Sequence, residues 1–128
     1  MRYVIDAWAW IEYLIGSNRG SKIKVILENE KNEIFTCSLT IAEVISMIKR
    51  EKRDYALAYK SIISLSKICN ITPELSKEAG LIHPDIKKKM RDFGLADVFI
   101  LVTAKMLDAQ IVTGDEHFKD FKNVVFIK

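Results

Sequence analysis

Four acidic residues stand in apolar company. Asp6 follows Tyr3-Val4-Ile5, Glu43 lies inside SLTIAEV, Asp97 precedes Val98-Phe99-Ile100 in GLADVFI, and Asp115 closes VTGD. Solvated surface carboxylates rarely keep such neighbours. Several partly buried carboxylates repel one another and raise their own pKa values. A divalent cation removes that problem, and oxygen-rich acidic sites suit Mg2+ or Mn2+, with a phosphate oxygen completing the coordination. The chemistry expected of such a cluster is phosphodiester hydrolysis. One or two ions would activate water for in-line attack on phosphorus, leaving a 5′-phosphate and a 3′-hydroxyl. Asp6, Glu43, Asp97 and Asp115 are the candidates for such a cluster.

Each acid also has a purely structural explanation. Asp6 and Asp115 can cap the turns that follow them. Thr40-Ile41-Ala42-Glu43 fits a capping box in which Glu43 reaches back to Thr40. Asp97 suits a helix N-terminus through the macrodipole. It is the joint pattern, four acids at the ends of apolar runs, that favours a shared site.

Alternating elements must position these acids. Short β-branched runs read as strands at Arg2–Asp6, Glu33–Cys37, Cys69–Thr72, Gln110–Thr113 and Asn123–Ile127. Helical patterns fill Ala7–Ile15, Ser21–Glu30, Thr40–Arg53, Asp54 to about Ile68, Glu74–Arg91 with a break at Pro84, and Leu95–Asp108. Strands separated by helices imply right-handed crossovers and a doubly wound parallel sheet covered on both faces. Ligands of such α/β folds bind beyond the carboxyl ends of the strands, where strand order reverses. With no linker, repeat or low-complexity tract, residues 1–128 are expected to form one domain.

The segments YVIDAWAWIEYL, SLTIAEV, GLADVFI and VTGDEHF, in that order, resemble the PIN-domain family, and particularly its small prokaryotic VapC-type ribonucleases. That resemblance implies about five strands ordered 3-2-1-4-5, which sets Asp6 and Asp115 face to face at the switch point. It implies metal-site roles for Asp6, Glu43, Asp97 and Asp115, a supporting hydroxyl from Thr113, and an endoribonuclease that could be the toxin of a toxin–antitoxin pair, with an antitoxin partner. One position departs from the family pattern: Trp8 stands where a small or hydroxyl residue is common, which bears on the mouth of the pocket. Glu116 is expected to be a solvated turn residue and His117 a turn histidine, although His117 is near enough in sequence to touch metal or phosphate. His83, before Pro84, has no evident partner. The competing class is a non-catalytic PIN-like RNA-binding or scaffold module, which would be expected to have lost acids. Two other phosphate enzymes fail on motif: DAWAW lacks the D-x-D-x-T of haloacid-dehalogenase types, and Tyr3-Val4-Ile5 lacks the paired acids of receiver domains.

An acidic site repels nucleic acid and needs a basic rim. Candidates for RNA binding are Lys49, Arg50, Lys52 and Arg53, and then Lys87, Lys88, Lys89 and Arg91, within a chain of net charge +3. An ordinary solvated face is the alternative. Cys37 and Cys69 show no C-x-x-C spacing and are expected to be buried, reduced thiols. No apolar run reaches the roughly 18 residues of a membrane span, and MRYVID does not read as a signal peptide, so the cytoplasm is the expected location. In the Asp54–Ile68 helix, Tyr55, Ala56, Leu57, Ala58, Tyr59, Ile62, Ile63, Leu65 and Ile68 cover most of the circumference, more than one core face requires, and in the first helix Trp8 and Ile15 share a face with Glu12. That surplus suggests a homodimer or a partner groove.

Overall fold

The computed structural model describes residues 1–128. Five strands, β1 (Arg2–Ile5), β2 (Glu33–Cys37), β3 (Lys67–Cys69), β4 (Gln110–Thr113) and β5 (Val124–Phe126), form one sheet. Its order is β3-β2-β1-β4-β5 and every pairing is parallel. Helices α1 (Ala7–Ile15), α2 (Asn18–Leu27), α3 (Ser38–Arg50), α4 (Tyr55–Leu65), α5 (Pro73–Lys89) and α6 (Leu95–Leu107) connect them, with a short 3-10 turn at Glu116–Phe118. This is the expected doubly wound fold in the expected strand order.

Side chains alternate across the pleat, so neighbours in one strand serve opposite cores. Val4, Phe35 and Ile111 join Val98, Val102, Leu75 and Phe93 beneath α5 and α6. Ile5, Ile34 and Val112 join Trp10, Ile23, Val44 and Ile62 beneath α1 to α4. Strands buried on both faces carry little polarity, which is why β1, β2 and β4 read as β-branched runs. One polar chain crosses the second core. Trp10 Nε1 donates to Thr36 Oγ1 (3.1 Å), which donates to Ser66 Oγ (2.7 Å), which donates to the Ile62 carbonyl (2.7 Å). The indole N–H is thereby satisfied at no cost in burial.

Several boundaries differ from the sequence expectation. The third strand is Lys67–Cys69 rather than Cys69–Thr72. Thr72 is instead the N-cap of α5, its hydroxyl accepting from Leu75 N–H, and Pro73 takes the first helical position, where a missing N–H costs nothing. The second helix runs Asn18–Leu27, not Ser21–Glu30, because Ser17 caps it by accepting from Gly20 N–H. Gly20 is required there: a Cβ would lie 2.2 Å from the Glu12 carbonyl oxygen of α1. The expected break at Pro84 is absent, and α5 continues through it to Lys89. The proline removes one backbone donor, and this partly exposed helix absorbs the loss. Cys37 and Cys69 are free, the first buried and the second partly buried, and they are directly paired across β2 and β3. Burial raises the Cys69 thiol pKa, and Cys37 adds to the effect. No helix is long and apolar enough to cross a membrane.

Candidate active site

The sheet reverses direction between β1 and β4. From β1 the chain proceeds outward through β2 to β3, and from β4 it proceeds the other way to β5. Ile5 pairs with Val112 in the last register of that seam. Asp6 and Asp115 therefore leave the same edge of the sheet from adjacent strands. Helix α6 enters β4 from above, so its first turn, with Asp97, lies over that edge. Helix α3 begins directly after β2, and Glu43 lies in its second turn.

Asp6, Asp97 and Asp115 each cap a turn, and each cap aims a carboxylate. Asp6 Oδ1 accepts from Ala9 N–H (2.9 Å), while Oδ2 accepts a short hydrogen bond from Thr113 Oγ1. The same Thr113 oxygen accepts from Asp115 N–H (3.0 Å). Thr113 thus ties the first acid to the fourth. Asp115 Oδ1 accepts from His117 N–H (2.9 Å), and Asp97 Oδ2 accepts from Gly94 N–H (3.2 Å). Capping and clustering are one arrangement here, not alternatives. Glu43 is different: α3 starts at Ser38 with Cys37 as its cap residue, and the buried Thr40 hydroxyl has no partner. The capping box that Thr40 and Glu43 could have made does not form.

Asp97, Asp115 and His117 converge most tightly, with one ligand atom from each lying within 4.8 Å of the others. Asp6 lies behind them, only 5% exposed. Glu43 is exposed and within electrostatic reach of Asp97. Desolvation pushes the Asp6 pKa up to about 7, with Asp115 and Asp97 adding to the rise and the Thr113 and Ala9 hydrogen bonds opposing it. Burial and the Asp97 charge raise Glu43. Burial, then Asp115, raise Asp97, against hydrogen bonding to Gly94 and the presence of His117. No lysine or arginine forms an ion pair with any of the four acids. Closely grouped carboxylates without a lysine or arginine partner are what a divalent ion relieves, and carboxylate oxygens are the donors that Mg2+ and Mn2+ take. The donor set fits such an ion.

His117, expected as a turn histidine close enough to touch metal or phosphate, lies in the Glu116–Phe118 turn with its ring beside the acids. Its Nδ1 stands 3.4 Å from Asp97 Oδ2 and 3.6 Å from Asp115 Oδ1. The hint was present in VTGDEHF, but only the turn at Glu116–Phe118 swings the ring back over the acids. Glu116 is exposed and lies within 3.8 Å of Lys119 Nζ.

Trp8 is not part of a surplus outer face. A Cβ built on Gly114 would lie 2.3, 2.5 and 2.6 Å from three adjoining atoms of its six-membered ring. Such near-equal distances put Gly114 against the ring face, not its edge. Trp8 therefore packs on the backbone that joins Thr113 to Asp115, and the Arg19 guanidinium lies 5.9 Å from its ring centre. Gly114→Ala is expected to cost about 1–3 kcal/mol through overpacking. Pairing it with Trp8→Ser should remove most of that cost. Equal losses in both backgrounds, measured by chemical denaturation, would show that the two residues are not coupled.

Of the basic groups, Lys87, Lys88 and Lys89 end α5, and Arg91 follows in the short link to α6. Helices α5 and α6 pack together and are joined by that short link, so this cluster stands beside the first turn of α6 and Asp97. Lys49 and Arg50 end α3, with Lys52 and Arg53 beyond, roughly 10 Å past Glu43 along the helix axis. All eight are exposed.

This sheet order, with acids gathered where it reverses, is that of a doubly wound α/β domain with its candidate site at the switch point. Residues 3–124 match the PIN domain family, and the chain belongs to it. No curated protein matches. Solved structures share the fold at low identity. VapC20 of Mycobacterium tuberculosis, a sarcin–ricin loop-cleaving toxin, aligns with TM-score 0.79 at 13% identity, over 98% of this chain and 99% of that one. A toxin–antitoxin complex from Klebsiella pneumoniae gives 0.74 at 19%, over 96% and 95%. VapBC2 of Rickettsia felis, bound to a promoter DNA fragment, gives 0.74 at 18%, over 98% and 97%.

Proposed function

We propose that this chain is a divalent-metal-dependent endoribonuclease and the toxin half of a toxin–antitoxin pair. The observation that carries the proposal is the group of acids at the β1–β4 switch point, with the pKa values of Asp6, Glu43 and Asp97 raised and no lysine or arginine partner for any of the acids. Asp97 and Asp115, backed by Asp6, would hold Mg2+ or Mn2+, as one ion or two. When bound, the ion supplies an activated water and neutralises charge at the phosphate. Thr113 holds Asp6 Oδ2 and, through the same oxygen, fixes Asp115 N–H. Glu43, exposed and within electrostatic reach of Asp97, would orient the attacking water or serve as a further ligand. Direct hydrolysis of this kind leaves a 5′-phosphate and a 3′-hydroxyl. Incubating the chain with total RNA and Mn2+, then mapping the ends, tests the assignment. Intact RNA across Mg2+ and Mn2+ would favour a non-catalytic RNA-binding module.

The basic cluster beside α6 is proposed to hold the RNA backbone. Replacing Lys87, Lys88 and Lys89 together with alanine should weaken RNA binding and flatten its salt dependence, with metal affinity nearly unchanged. An unaltered slope would make the cluster an ordinary solvated face, and the same test applies to Lys49, Arg50 and Arg53. The apolar face of α4, where Tyr55, Leu57, Tyr59 and Ile63 stay exposed, is proposed as the homodimer or antitoxin surface. Light scattering that reports a monomer at high micromolar concentration removes the dimer.

A further inference from the structure

The carboxylates account for a cation but not for His117. This residue is held in place from two sides. Its backbone N–H donates to Asp115 Oδ1 (2.9 Å). Its ring packs 6.3 Å, centre to centre, from Phe93, which is fully buried against Phe118 and Phe121. The imidazole Nδ1 then sits between Asp97 Oδ2 at 3.4 Å and Asp115 Oδ1 at 3.6 Å. Both separations are long for a hydrogen bond. They match the spacing of donor atoms around a single ion, whose ligands lie about 2.0–2.2 Å from it and so about 3–4 Å from one another. A nitrogen set between two carboxylates, in no more than a long hydrogen bond to Asp97, is placed as a third donor beside their oxygens.

We infer that His117 contributes Nδ1 to the same cation as Asp97 and Asp115, and that this nitrogen makes the site favour Mn2+ over Mg2+. The inference deepens the proposed function and rests on it. Mg2+ is hard, keeps its waters and demands oxygen ligands in near-ideal octahedral geometry. A first-row transition ion accepts imidazole more readily. An all-carboxylate site discriminates weakly between the two ions, whereas one with a built-in nitrogen does not.

The test uses the full chain with Mn2+ alone, then Mg2+ as competitor. Free Mn2+ is counted by electron paramagnetic resonance, and pulsed measurements on histidine-15N protein look for nitrogen coupling to the bound ion. His117→Phe keeps the ring packing on Phe93 and removes the donor, while His117→Asn keeps polarity. Melting in EDTA identifies which variants remain folded. The expected result is nitrogen coupling in the parent that vanishes in the folded variants. The Mn2+-over-Mg2+ preference should fall on the order of tenfold or more. Bound Mn2+ without nitrogen coupling, or a preference unchanged in either folded variant, overturns this inference and leaves the carboxylate site standing. A parent chain that binds no Mn2+ overturns both.

Discussion

Asp97→Asn should leave a folded protein that has lost nearly all cleavage, by about 100-fold or more, while its metal-free form is no less stable than the parent. The geometry separates the two jobs that Asp97 performs. Its Oδ2 accepts the Gly94 N–H at the start of α6, and an asparagine oxygen can accept the same bond. The helix cap therefore survives. What disappears is one of the charges that raise the pKa values of Asp6 and Glu43. Removing it relieves repulsion in the metal-free protein, so stability should stay level or rise by up to about 1 kcal/mol. The stabilisation gained on adding Mn2+ should shrink together with affinity. If Asp97 were a cap alone, neither activity nor the metal-induced rise in melting temperature would change. A folded Asp97→Asn protein that cleaves RNA at the parental rate would sink the proposed mechanism. Asp115→Asn should behave alike. Glu43→Gln should be milder if Glu43 only positions water, since it shares no cap or hydrogen bond with the other acids.

The fold was legible where periodicity was strong. Ile5, Ile34 and Val112 on one face, and Val4, Phe35 and Ile111 on the other, are what doubly buried parallel strands look like in sequence. Element ends were less legible because competing caps decide them. Ser17 and Thr72 each claim a helix start that apolar pattern alone placed later. Pro84 misled for a related reason: a proline disfavours a helix interior but does not forbid it when neighbouring turns are well packed. Leu75 and Ala79, both buried, hold α5 on the sheet upstream of it.

The apolar surroundings that singled out Asp6, Glu43 and Asp97 in sequence persist in the fold as desolvation that raises their pKa values. The places of His117 and Trp8 depend on contacts that sequence separation hides. Trp8 touches Gly114, across the β1–β4 seam, and His117 is turned back toward Asp97 by a 3-10 turn that Asp115 caps. Neither fact has a periodicity. The Thr113 tie to Asp6 is of the same kind, and only the family resemblance pointed to it.

Asp6 should make the metal-free protein less stable as pH rises, opposite to the behaviour of a salt-bridged carboxylate. Its carboxyl is pushed up from 3.8 to about 7, mainly by burial. Between those values the native state keeps a proton that the unfolded chain has released, so stability falls with increasing pH. The contribution is fully present below about pH 4, is lost as pH climbs through 7, and changes little above that. A shift of about 3 units corresponds to roughly 4 kcal/mol at most, as an order of magnitude. Asp97 and Glu43, also raised, add to the same trend. Asp6→Asn removes the largest part, because an asparagine oxygen can still accept from Ala9 N–H while its amide faces Thr113 Oγ1. Denaturant titrations in EDTA at about pH 5 and pH 8 should show the parent losing about 2–3 kcal/mol relative to Asp6→Asn over that interval. Millimolar Mn2+ should restore the parent at pH 8, where Asp6 is ionised, and do little at pH 5, where protons compete for the ligands. Parallel pH profiles for the two proteins would mean that Asp6 is ionised in the metal-free fold, and that the cluster is not electrostatically poised for a cation.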